Sequence, residues 1–89
     1  MRKKEILNEV AKIGTSIARQ ADPGYYSAEN HCYAKAYVPK LEAMREAYRK
    51  INKGGNAIDA LLEAREVIAT GGEWNFLSRL IEKIKKARQ

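Results

Sequence analysis

Ile6, Val10, Ile13 and Ile17 recur at steps of four, three and four, the spacing that lines one face of a helix. Leu7, Ala11, Gly14 and Ala18 widen that face. The pattern predicts a helix from about Lys3 to Ala21, ended by the turn residues Asp22-Pro23-Gly24. Ser27 then offers an N-cap, with Glu29 placed to favour the positive end of a helix dipole. From there a stripe of Tyr26, Asn30, Tyr33, Tyr37, Leu41, Met44, Tyr48 and Ile51 advances by threes and fours. Pro39 falls inside it. Proline starts helices well, but the cap would then be Val38, a poor one. The unbroken phase favours one long helix from Ser27 to about Lys53, kinked at Pro39 and about 40 Å long.

Gly54-Gly55 ends that helix and Asn56 caps the next, with Asp59 three residues on. Ile58, Leu61, Leu62, Arg65 and Ile68 mark the inner face of this third helix, Ala57 to Ile68, with Val67 alongside. Thr70-Gly71-Gly72-Glu73 breaks the chain again. The last helix, Trp74 to about Arg88, places Trp74, Leu77, Ile81 and Ile84 on one side, broadened by Leu80. No strand alternation and no internal repeat occurs. The expected fold is all-α: a single domain, residues 1–89, built as a compact antiparallel bundle of four helices.

Composition changes this picture in one respect. Leu, Ile, Val and Phe supply only 18 of 89 residues, and thirteen alanines make up much of the apolar remainder. Alanine favours helix but contributes little buried area, so the core is thin for the chain's length. A row of small residues, Ala28, Cys32, Ala36, Ala43 and Ala47, lets a neighbouring helix approach closely. It reads as ordinary bundle interior or as a dimer seam. No apolar run is long enough to cross a membrane, and no secretory leader is evident. The single cysteine allows no internal disulfide, which suits a cytoplasmic protein.

Catalytic and metal chemistry find little support. His31 and Cys32 are adjacent, so on a helix they diverge by about 100° and do not pair as base and nucleophile. With one His and one Cys the chain lacks a zinc ligand set. Glu42 with Glu46, and Asp59 with Glu63, share helix faces among many basic residues, as solvated carboxylates do. The double glycines lack the lysine of a phosphate loop. The expectation is a non-enzymatic protein without metal or cofactor. A helix–turn–helix reading of Leu41 to Ile68 also fails, because the would-be recognition segment, Ala57 to Gly72, holds Arg65 against Asp59, Glu63 and Glu66.

The net charge of +6 is unevenly spread. With alternating helices, the start of the first and the ends of the second and fourth share one end of the bundle. These segments hold Arg2, Lys3, Lys4, Arg49, Lys50, Lys53, Lys83, Lys85, Lys86 and Arg88 against Glu5 and Glu82, ten basic residues to two acidic. The opposite end holds Arg19 against Asp22, Glu29, Glu66 and Glu73. Cations at helix C-termini also complement the dipole, but that does not account for Arg2-Lys3-Lys4 at an N-terminus. The leading expectation is a binding protein whose basic end contacts DNA or RNA, chiefly through phosphates. The alternative is a protein–protein module (adaptor, inhibitor or homodimer) that uses the helix face of Tyr25, Tyr26, Tyr33, Tyr37, Met44 and Tyr48. Neither expectation involves a membrane.

Overall fold

The computed structural model describes residues 1–22, 24, 34–69 and 71–88, and among these the only regular elements longer than a turn are four α-helices. They are α1 (Lys3–Ala21), α2 (Ala34–Asn52), α3 (Ala57–Ile68) and α4 (Gly72–Arg88). The apolar steps of α1 are borne out residue by residue: Ile6, Val10, Ile13 and Ile17 are its buried positions.

Pro39 lies within α2, with helix on both sides, so it does not open a new element. Its missing N–H leaves the Lys35 carbonyl without the usual donor four residues on. Both residues are exposed, so water can reach that carbonyl. The expected extension of this helix back to Ser27 falls outside the described residues up to Tyr33. At its other end the helix closes in a double-glycine cap. Gly54 takes φ +95°, its N–H donates to the Ile51 carbonyl (3.0 Å), and the Gly55 N–H donates to the Lys50 carbonyl (2.8 Å). A β-carbon on Gly55 would sit 2.8 Å from that same carbonyl oxygen, so both glycines are required.

Asn56 caps α3 as its sequence position implies: its side chain accepts a hydrogen bond from the Asp59 N–H at 3.1 Å. The fourth helix begins earlier than the glycines suggest. Ala69 (φ +66°) and Gly71 (φ +100°) turn the chain, and Gly72 and Glu73 already belong to α4. The break is completed before Gly72, which frees Glu73 to occupy the first turn.

One buried cluster draws on all four helices. α1 contributes Ile6, Val10, Ile13 and Ile17, α2 Met44, Ala47 and Ile51, α3 Ala57, Ala60, Leu61, Ala64 and Ile68, and α4 Leu77, Leu80, Ile81 and Ile84. Two inner faces differ from the sequence expectation. In α2 the buried line passes through Met44, Ala47 and Ile51, while Tyr48 is 40% exposed. In α3 the innermost residues are Ala57, Ala60, Leu61, Ala64 and Ile68; Ile58, Leu62 and Arg65 are half-buried and Val67 is exposed. The cause is the same in both. Alanine, not a larger residue, permits closest approach, so the α2–α3 seam centres on Ala47, Ala60 and Ala64 and displaces bulkier neighbours to its flanks. Of the small-residue row, Ala43 is half-buried beside Ala47 and packs against the core, Ala36 is exposed, and Ala28 and Cys32 lie outside the described residues. α2 shares broad interfaces with α1 and α3, whereas those of α4 with α3 and α1 are narrower. Among the described residues no helix is long and apolar enough to cross a membrane.

Candidate functional site

Two elements of the basic end are tied together directly. Lys3, in the first turn of α1, donates from Nζ to the Asn52 carbonyl at the end of α2 (2.6 Å). A cation there satisfies an end carbonyl and meets the negative end of the α2 dipole. One of the three N-terminal cations that dipole arguments left over is thereby given a structural task. Arg49 pairs with Glu46 (2.8 Å), Lys50 with Glu63 across the α2–α3 seam, and Lys85 with Glu82 (3.7 Å). The Glu63 carboxylate, chiefly through its hydrogen bond, raises the Lys50 ammonium above its ordinary pKa.

This leaves Arg2, Lys4, Lys53, Lys83, Lys86 and Arg88 exposed and without a carboxylate partner among the described residues. The charge balance is smaller than the terminal segments alone indicate. The start of α3 lies at this end as well, and Asp59 and Glu63 border the same shallow hollow as Lys50 and Lys53. Counting them, together with Glu46 beside Arg49, gives ten basic side chains against five carboxylates, a balance of +5.

At the far end of α1 the polar contacts are of another kind. Ser16 Oγ and Gln20 Nε2 both donate to Glu73 Oε1, at 3.1 and 2.6 Å, and pin the start of α4 to the end of α1. Nearby, Arg65 donates to Ser78 Oγ (3.1 Å) and lies over the Trp74 ring, 5.2 Å from its centre.

Of the tyrosine face, Tyr25, Tyr26 and Tyr33 lie outside the described residues, as do His31 and Cys32. Tyr37 is half-buried against the core beneath Lys40, whose Nζ is 5.0 Å from its ring. Met44 is 2% exposed and belongs to the core, so it offers no surface to a partner. Tyr48 alone among the described members of the face is exposed.

Phe76 was not among the expected contact residues. It is 52% exposed, the most exposed of the large apolar side chains among the described residues. It lines a groove of about 370 Å³ between α1 and α4, with Ile13 and Leu80 as its apolar part, Arg79 and Lys83 on the α4 side, and Ser16 and the Lys12–Glu9 ion pair (3.3 Å) on the α1 side. The signal for it was available: the chain's one phenylalanine sits one residue before Leu77, about 100° away from the inner face of α4.

Taken together, the features are those of a small all-helical protein with six exposed cations that lack a carboxylate partner among the described residues and several open surface grooves. Comparison with known proteins returns no match, whether to a family model, a curated sequence or a solved structure.

Proposed function

We propose that this protein is a non-enzymatic nucleic-acid-binding protein whose basic end contacts phosphates without reading sequence. The carrying observation is the set of six exposed cations, Arg2, Lys4, Lys53, Lys83, Lys86 and Arg88, that find no carboxylate partner among the described residues. Like charges gathered at one end of a small fold repel one another unless an anion neutralises them. The reading takes the helices as alternating in direction. Support comes from Lys3 meeting Asn52 while Gly14 faces Met44, and from Ser16 meeting Glu73. It also takes α2 as bent at Pro39, which the missing hydrogen bond favours.

Flexible lysines at helix ends suit phosphate contact rather than base-edge recognition. Affinity for duplex DNA should therefore fall with salt, with a log–log slope of about −0.9 per phosphate contact. The test is fluorescence anisotropy on labelled duplexes of unrelated sequence across a salt series. Replacing Lys83, Lys86 and Arg88 by Glu should weaken all duplexes alike and flatten the slope. The matched control, Arg19→Glu with Lys35→Glu and Arg45→Glu on α1 and α2, also reverses three exposed charges and should leave most of the affinity intact. Equal loss in both variants reduces the attraction to net charge, and absence of binding at low salt rejects the reading.

One observation favours the interaction-module alternative. Tyr48 stands exposed beside a shallow groove of about 250 Å³ that Leu41 and Arg45 also line. If nucleic acid does not bind, Tyr48→Ala should lower self-association or partner capture, measured by sedimentation.

A further inference from the structure

The exposed row of α4 reads Phe76, Arg79, Lys83, Lys86, at steps of three, four and three, so these four side chains share one face of the helix. All four are exposed. Phe76 heads the row at the α1–α4 groove, Lys83 lies about 10 Å further along the axis and Lys86 about 15 Å. An aromatic ring followed by cations along a track is the arrangement by which single strands are held: a base stacks on the ring and the backbone follows the charges.

From this row we infer that the protein prefers single-stranded nucleic acid, with one unpaired base stacked on Phe76 in the groove and the adjoining phosphates carried by Arg79, Lys83 and Lys86 towards the basic end. The inference rests on the proposed phosphate-binding function and deepens it. Three observations separate this occupant from others. Bases inside a duplex are already stacked, so a duplex engages the cations but leaves Phe76 idle. An amphipathic partner helix needs successive apolar anchors at helical spacing. The exposed row offers one aromatic and then only charge. The groove, about 370 Å³ with the apolar floor Ile13 and Leu80, falls in the size range of small-ligand sites, roughly 300 Å³ and upward, and its one carboxylate, Glu9, is paired with Lys12 on the α1 side, opposite the α4 row.

The experiment measures anisotropy of a labelled oligothymidylate and of a blunt duplex against the full chain, with three substitutions of Phe76. Phe76→Ala should weaken single-strand binding roughly five- to a hundredfold, the loss expected for one stacked base, and leave duplex binding within about twofold. Phe76→Tyr should retain the single-strand affinity, and Phe76→Leu, which keeps apolar bulk without a ring, should not. Circular dichroism melts control for folding, and the exposure of Phe76 predicts little change. An unaltered single-strand affinity in Phe76→Ala overturns the inference, as does equal weakening of single strand and duplex. So does retention of full affinity by Phe76→Leu, or an acidic amphipathic peptide filling the groove while oligonucleotide binding ignores Phe76. If charge reversal at Lys83, Lys86 and Arg88 weakens binding while Phe76→Ala does not, only this inference fails. If charge reversal has no effect, the phosphate-binding reading itself fails.

Discussion

Gly14 shows how a side chain's absence is tolerated rather than required. It lies mid-helix in α1, where glycine costs up to about 1 kcal/mol relative to alanine. A β-carbon placed there would meet only the Met44 β-carbon, at 4.0 Å, an ordinary contact. Gly14→Ala should therefore stabilise the fold by up to about 1 kcal/mol, read from chemical denaturation. The distance leaves no packing reason for glycine here. Lys50 and Glu63 give a second prediction at this scale. Because Glu63 raises the Lys50 pKa, the pair's contribution is fully present below the ordinary lysine value of 10.5 and is lost as pH rises through the higher folded value. The stability difference between wild type and Glu63→Gln should hold steady at neutral pH and shrink only in strong alkali. Both side chains are exposed, so added salt should shrink it as well.

Among the elements, α4 carries the most consequence. Leu77 and Ile81 are essentially fully buried. Ile81→Ala should cost about 2–5 kcal/mol, as buried aliphatic truncations do, and thermal melts would measure it. A loss below about 0.5 kcal/mol would make α4 a loosely attached arm. The helices themselves were legible because each carries a local signature: the four-three-four steps of α1, the Asn56 cap, the Gly54-Gly55 stop. The inner faces of α2 and α3 were less so, because period alone does not say whether alanine or its larger neighbour faces inward. That choice is settled between helices, at Ala47, Ala60 and Ala64. The same limit applied to the basic end. Lys3 and Lys50 read as free cations until the neighbouring helix supplied Asn52 and Glu63, contacts 49 and 13 residues distant in sequence.

For the molecule as a whole, the unequal interfaces matter most. α1, α2 and α3 are joined by broad seams, while α4 closes the ring through narrower ones, reinforced at one end by Glu73. Opening free energies within a fold follow local packing, so native-state hydrogen exchange should find α4 amides less protected than those of α1 and α2. Uniform protection across the four helices would contradict this. The Phe76 row lies on that same least-anchored element. A strand laid along it, its stacked base seated between Phe76 of α4 and Ile13 of α1, would bridge the α1–α4 seam from outside. Amide protection in α4 should then rise with oligonucleotide concentration while α2 and α3 change little, and the melting temperature should climb with it by mass action. The weakest seam of the fold would thus report its own occupancy.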